Sequence, residues 1–342
     1  MSPHTDNAAA SNAAASTAPG ETMRERTVFA TDLRLTELAF GAASLGNLYT
    51  ETSDDDAAAA VSQAWASGIR YFDTAPHYGL GLSERRLGAA LARFPRGELV
   101  ISSKVGRLIV PNENPTEWDD QGFAVPGTFR REWDFSYDGV MRSVEASLER
   151  LGTDYLDILY LHDPDISGID DAIGTGAAAL TRLRDEGVVT AVGIGSNSAE
   201  AVATAFRETD IDLAMLAGRY TLLEQDGADE VFEAAGQRSI VAVGVFNSGL
   251  LSRPRPAPGA MYNYEPAPQS VLERANLLAD VAEAHGATLP QAAMAFPLRS
   301  PRVASIPIGM RTAQHVLDNV ALYDQAPAHS LWAGLRDAGL LG

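Results

Sequence analysis

A (β/α)8 barrel, built as one domain with long loops at its C-terminal face, is the fold this 342-residue chain predicts. Three observations predict it. Eight short, β-rich apolar segments alternate with longer Ala/Leu-rich segments of helical period, and parallel strands need such crossovers. The length fills one α/β barrel, although a prior of roughly 150 residues per domain would also allow two domains. A doubly wound sheet, the competing architecture, usually carries a Gly-rich dinucleotide fingerprint after its first strand. Here the first strand leads into Gly41-Ala42-Ala43-Ser44-Leu45-Gly46, which is not that pattern.

Residues 1–26 are Ala, Ser, Asn and Thr with scattered charge and no apolar period, so they read as a disordered tail ahead of a barrel over 27–342. Strand segments follow at 38–43, 69–73, 99–104, 155–161, 189–194, 212–216, 240–245 and 303–307. Helical segments fall near 54–67, 83–93, 136–150, 169–186, 199–208, 227–237, 269–284 and 312–322. The first helix opens with Ser53-Asp54-Asp55-Asp56, which caps free N–H groups and suits the positive end of the helix dipole. Two connections are too long for simple turns. Residues 106–135 hold Trp118, Phe123, Phe129 and Trp133, and residues 252–268 hold five prolines among Arg253, Arg255, Tyr262 and Tyr264. Both leave C-terminal strand ends, the face on which barrels place their active sites. The first therefore reads as a lid on a substrate pocket.

Composition narrows the function classes. Lys and Arg number 26 against 45 Asp and Glu, a net charge of −19, which disfavours nucleic acid and anionic membrane as partners. Hydrophobic residues make up 46% of the chain, enough for a substantial core. Without cysteine there is no disulfide framework, thiolate metal site or cysteine nucleophile, which fits a cytoplasmic setting. No basic segment precedes an apolar one in the manner of a secretory signal, and no run of about 18 apolar residues occurs. The six histidines make no i,i+4 pair, so no metal is expected. Neither Gly-x-Ser-x-Gly nor Gly-x-x-x-x-Gly-Lys-Ser/Thr occurs, which sets aside hydrolase and NTPase readings.

The densest stretch is Gly68-Ile69-Arg70-Tyr71-Phe72-Asp73-Thr74-Ala75-Pro76-His77-Tyr78-Gly79, continuing to Ser83-Glu84 and Gly88. Asp73 ends the second strand and Tyr78 lies in the turn after it; Lys104 ends the third strand and His162 the fourth. Singly, each has a plainer reading: a helix-capping Asp, a half-buried turn Tyr, a solvated Lys, a hydrogen-bonded structural His. Adjacent strands of one barrel would bring all four to one mouth. Tyr is a poor acid or base at neutral pH, with a reference pKa near 10. A nearby ammonium would lower that value, Asp73 would keep Lys104 charged, and His162 would donate to the substrate oxygen.

These residues carry a resemblance. From Leu33 to Tyr323 the chain resembles the aldo-keto reductase superfamily, NAD(P)-dependent enzymes on a (β/α)8 barrel. The motif Asp-Thr-Ala-x-x-Tyr-Gly with Ser-Glu and Gly carries it. The resemblance implies a catalytic tetrad of Asp73, Tyr78, Lys104 and His162, with hydride passing between nicotinamide C4 and the substrate carbon. The phrases Ala75-Pro76-His77-Tyr78, Leu161-His162-Asp163-Pro164-Asp165, Gly218-Arg219-Tyr220-Thr221-Leu222-Leu223 and Val245-Phe246-Asn247-Ser248-Gly249 are similar to one branch. That branch holds the aldose 1-dehydrogenases, with the fucose, galactose and pyridoxal dehydrogenases. It implies oxidation of the anomeric hydroxyl of an aldose, or of a similar cyclic hemiacetal, to a lactone, with Tyr78 as general base. An NADPH-dependent aldehyde or ketone reductase using the same four residues is the alternative, and a non-catalytic regulatory barrel is the alternative of another class.

The resemblance also implies a nucleotide site. Ser196 or Asn197 would reach the nicotinamide amide and Phe246 its ring; Asn247, Ser248 and Leu250 would line the pyrophosphate path. Gly309, Arg311, His315 and Asn319 would hold the adenosine half at a strand end and helix N-terminus, a placement suited to phosphate. NADP-preferring members often have Lys and Arg where Gly309 and His315 stand, which leans the expectation slightly to NAD. Tyr49, His77 and Trp133 are the expected substrate contacts. The expected partner is a small-molecule sugar or aldehyde, and monomer and homodimer both stay open.

Overall fold

The structure is a computed structural model and describes residues 23–257, 259–263 and 265–342. Most of the expected tail thus lies outside the described residues. Eight parallel strands close in chain order: β1 Leu38–Gly41, β2 Tyr71–Asp73, β3 Val100–Val105, β4 Ile158–His162, β5 Ala191–Ser196, β6 Leu213–Ala217, β7 Ser239–Val243 and β8 Val303–Gly309. β8 pairs back onto β1 in parallel, with Ile306 opposite Leu38 and Gly309 opposite Gly41. Alternation along the strands sorts the side chains. Ala39, Tyr71, Ile158, Tyr160, Ala191, Leu213, Met215 and Val241 fill the interior. Phe40, Phe72, Leu159, Leu161, Val192, Ile194, Ala214 and Leu216 face the helices. Gly193 is required by this packing, because a Cβ there would overlap the Leu213 carbonyl and press on the Tyr160 ring.

The helices are α1 Asp54–Ala66, α2 Leu82–Leu91, α3 Tyr137–Leu151, α4 Ala172–Asp185, α5 Ala199–Glu208, α6 Ala228–Ala235, α7 Gln269–Ala284, α8 Leu289–Leu298, α9 Ala313–Asp324 and α10 Ser330–Asp337. Ser53 caps α1 as expected, accepting from the Asp56 N–H at 3.0 Å. The helix expected at 269–284 is present, but it does not complete the barrel. α7 packs with α10 and with buried Leu222, Leu223, Leu250 and Leu251 in a second apolar cluster. α8 supplies the crossover into β8 and packs on that strand and on α9. It carries Pro290 in its first turn and Pro297 near its end, and a Thr288–Gln291 capping box starts it. Two prolines in ten residues conceal a helix whose Pro290 stands where no intrahelical N–H is needed.

Three further corrections concern segments read as loop or tail. Residues 106–135 are a two-stranded antiparallel hairpin, Arg107–Thr116 with Gly127–Trp133, whose ends meet with Arg107 opposite Trp133. Within 252–268, Met261–Tyr262 pairs with Glu265–Pro266, and Tyr264 lies outside the described residues. The tail boundary at residue 26 falls too late, because Glu25–Thr27 pairs with Arg34–Thr36 as a hairpin under the barrel. Val28 and Leu35 from it are fully buried in the interior cluster. Glu37 accepts from Arg24 at 2.9 Å, Arg26 at 2.6 Å and Tyr323 at 2.6 Å, tying the hairpin to α9.

Candidate active site

The C-terminal ends of β2, β3 and β4 bring Asp73, Lys104 and His162 together, and the turn after β2 adds Tyr78. Lys104 Nζ donates to Asp73 Oδ2 at 2.7 Å, to the Thr74 carbonyl at 2.9 Å and to the Tyr78 hydroxyl oxygen at 3.0 Å. All three ammonium protons are therefore committed, and the side chain is 4% exposed. Ser102 donates to the other Asp73 oxygen, Oδ1, at 2.7 Å. Behind it lie the hydroxyls of Tyr71 at 3.1 Å, and of Tyr160 at 3.2 Å from Tyr71. A buried chain of hydroxyls thus braces the carboxylate that holds the lysine. Ser102 was not anticipated, although it stands two residues before Lys104 on one strand and so faces the same side.

The rest of the Asp-Thr-Ala motif is scaffolding. Gly79, at φ +62°, and Gly46 let two turns touch; a Cβ on Gly46 would stand 2.6 Å from the Tyr78 carbonyl carbon. Ser83 donates to the Ala42 carbonyl at 2.7 Å and pairs with the Thr74 hydroxyl at 2.8 Å. Glu84 is fully buried and accepts from Ser103 at 2.7 Å and Arg150 at 2.6 Å, joining α2 to β3 and α3. At Gly88 a Cβ would overlap the Leu151 carbonyl. These contacts fix the turn that presents Tyr78.

Electrostatics corrects one expectation. Burial pushes the Tyr78 phenol up, Lys104 pulls it down, and Asp73 and Asp163 oppose the lysine, leaving it at about 12. Burial works against the Lys104 ammonium, but Asp73 and Tyr78 outweigh that cost and raise its pKa above the ordinary value. The pair at rest is thus an ammonium beside a neutral phenol. Burial, followed by Arg107 and Lys104, holds His162 well below the ordinary imidazole range, so it is neutral at pH 7. Its Nδ1 is buried without a partner among the described residues, and its ring stands edge-on to Tyr78 with centroids 5.7 Å apart.

A cavity of about 680 Å³ opens over these groups. Of the residues expected at the site, Tyr49, Asp73, His77, Tyr78, Lys104, His162, Ser196, Asn197, Asn247, Ser248 and Gly309 line it. Asn247 is 4% exposed, and both of its side-chain amide atoms are buried without partners among the described residues. A Cβ at Gly218 or Gly309 would meet nothing within 4 Å, so the wall there is open. An orphaned amide beside glycine-lined space fits a bound nicotinamide dinucleotide. Ser196 donates to Asp165 Oδ1 at 2.8 Å, which holds the end of β5.

Other expected contacts do not line this cavity. Leu250 is buried in the second apolar cluster, and Phe246 packs against both clusters. Arg311 spends its guanidinium on the carbonyls of Leu48 at 2.7 Å and Thr50 at 2.6 Å and on the Thr52 hydroxyl. The His315 N–H meets the Thr312 cap at the exposed start of α9, and Asn319 donates to the His315 carbonyl from the middle of the helix. Trp133 lines a neighbouring pocket of about 290 Å³ and lies under Arg107, whose guanidinium carbon is 4.5 Å from the ring centroid. Arg107 itself went unnoticed. It is 6% exposed, lines the cavity and pairs with Asp163 at 2.5 Å. Its only sequence signal is a place three residues past Lys104, at the root of the hairpin.

A closed parallel barrel with a lysine-coupled tyrosine at its mouth defines an oxidoreductase, and comparison with known proteins gives it a family. The chain matches the Aldo/keto reductase family over residues 37–329 and belongs to that family. It is 45% identical over 322 residues to the D-threo-aldose 1-dehydrogenase of a Pseudomonas species, spanning 93% of this chain and 98% of that protein. Pyridoxal 4-dehydrogenase from Microbacterium luteolum is 39% identical over 341 residues, with coverages of 93% and 98%. Among solved structures, the holo form of aldo-keto reductase AKR11C1 from Bacillus halodurans superposes with a TM-score of 0.73 at 26% identity, covering 94% of this chain and 97% of that one.

Proposed function

We propose that the chain is an NAD-dependent aldose 1-dehydrogenase that oxidises the anomeric hydroxyl of a sugar, or of a similar cyclic hemiacetal, to a lactone. The observation that carries this reading is the 3.0 Å hydrogen bond from Lys104 to the Tyr78 hydroxyl inside the cavity, with Asp73 fixing the lysine. A nicotinamide nucleotide, when bound, supplies the hydride acceptor. Asn247, Asn197, Ser196, Ser248 and Gly309 line the cavity and would hold it. Tyr78 moves the proton at the substrate oxygen, and Lys104 stabilises the phenolate that must form for oxidation. Neutral His162 donates to the same oxygen and orients it. Identity to an aldose 1-dehydrogenase supports the substrate class. The engagement of Arg311 with main-chain oxygens removes a cation that a 2′-phosphate would use, which supports NAD.

The neutral phenol of the resting site also suits proton donation, and hence reduction of an aldehyde or ketone by the same four residues. Initial rates with L-fucose, D-arabinose, L-galactose and pyridoxal, each with NAD+ and NADP+, decide between the directions when set against NADH- and NADPH-driven aldehyde reduction. Oxidation with NAD+ supports the proposal. Turnover only in the NADPH-driven reductive direction overturns it in favour of a reductase.

A further inference from the structure

We infer that His77 is a substrate-selecting residue whose Nε2–H, set by Arg131, donates to the hydroxyl on the carbon next to the reacting one. This rests on the dehydrogenase reading and names the substrate feature that the same site recognises. It takes α-hydroxy carbonyl compounds and their hemiacetals in preference to unsubstituted aldehydes.

The tautomer follows from donor and acceptor chemistry. Arg131 Nε donates to His77 Nδ1 at 2.7 Å, and Arg107 stands 3.4 Å from the same nitrogen. A guanidinium has no acceptor, so Nδ1 must offer its lone pair, and the proton of the neutral ring then resides on Nε2. Arg131 also donates to the His77 carbonyl at 2.9 Å, gripping the residue at both ends. Asp119 holds Arg131 through both terminal guanidinium nitrogens, and the two side chains, Arg131 and Asp119, are only 11% and 3% exposed. The clamp is therefore enclosed. Phe123 packs beside the clamp, edge-on to the imidazole with centroids 5.2 Å apart.

Position supplies the rest. His77 lines the cavity, its centroid 5.3 Å from that of His162 and 6.0 Å from that of Tyr78. Its Nε2 makes no hydrogen bond among the described residues and is not one of the sealed orphan atoms, which leaves it free to meet a ligand in the cavity that His77 lines. Tyr78 and His162 converge on the reacting oxygen, and His77 stands beside both with a donor to spare. Burial, followed by the flanking Arg107 and Arg131 guanidinium groups, keeps the ring neutral, so it donates one hydrogen bond and carries no charge to attract anions.

Two measurements test this. Nitrogen-15 NMR of the whole chain is expected to show His77 with a bare Nδ1 and a protonated Nε2; an Nδ1–H signal would overturn the inference whatever the enzyme turns over. In the reductive direction, the ratio of kcat/KM for an α-hydroxyaldehyde to that for the deoxy aldehyde of equal length is expected to fall about 10- to 100-fold in His77→Phe. His77→Gln, which keeps a neutral donor near the Nε2 position, should recover most of the ratio. Arg131→Gln, which leaves the imidazole in place, should lower the ratio mainly through KM. An unchanged ratio in His77→Phe and Arg131→Gln sinks the inference. Failure to turn over either aldehyde or any sugar sinks the dehydrogenase reading instead, and the NMR result still decides the tautomer.

Discussion

At the residue scale the site is a contest between burial and charge. Tyr78 lies in an enclosed pocket that favours its neutral form, and Lys104 is the one partner that argues strongly for phenolate. Tyr78→Phe is expected to lower kcat about 10²- to 10⁴-fold while nucleotide binding, read by fluorescence titration, persists. The phenol also sets a pH dependence. With its pKa raised to about 12, the base form is a minor species at neutrality. Rates of oxidation should climb about tenfold per pH unit through the neutral range, until another step limits turnover. A flat profile for kcat/KM from pH 7 to 9 would remove Tyr78 as the base. How legible these residues were depends on chemistry as much as on position. Asp73, Tyr78, Lys104 and His162 stand at strand ends and turns whose side chains are unusual there. Ser102 and Arg107 are common residues, and only the register of β3 and the root of the hairpin give them their tasks.

At the scale of elements, capping and close approach explain what patterning alone does not. α8 was not visible because prolines mask its helical period, whereas α1 announced itself by Ser53 and three aspartates. The hairpin between β3 and α3 read as loop because its outer face is polar and its aromatic residues do not alternate over a long run. Gly88 shows the reverse situation, a residue whose presence in the motif is explained only by the neighbouring helix. Its missing side chain lets α2 rest on the Leu151 carbonyl at the end of α3. Gly88→Ala is expected to cost about 3 kcal/mol of stability, since main chain cannot yield as a side-chain tip does. Chemical denaturation should show an earlier midpoint, and an unchanged midpoint would mean that the helices slide apart freely.

The whole molecule separates its labours by end. Chemistry sits at the mouth, and the base is closed by the N-terminal hairpin, with Glu37 joining Arg24, Arg26 and Tyr323. Burial works against the Glu37 carboxylate, but hydrogen bonds from Tyr323, Arg24 and Arg26 prevail and hold its pKa below the ordinary value. A depressed carboxylate contributes stability above its unfolded pKa, near 4.3, and loses it as pH falls through the lower folded value. Glu37→Gln should therefore cost about 1–3 kcal/mol at pH 7 and blunt the acid-induced loss of stability below about pH 4. Equal acid sensitivity in variant and parent would show that this carboxylate does not govern it. The barrel was legible because eight strands and their crossovers repeat one rhythm. The hairpin beneath it was not, because three-residue strands are too short to show a period. At the other end, the long hairpin departs and returns at facing positions, Arg107 against Trp133. The stretch between them can be exchanged like a cartridge, so a change of reach over the cavity is open to grafting one continuous segment while Arg107, Asp73, Tyr78, Lys104 and His162 stay in place.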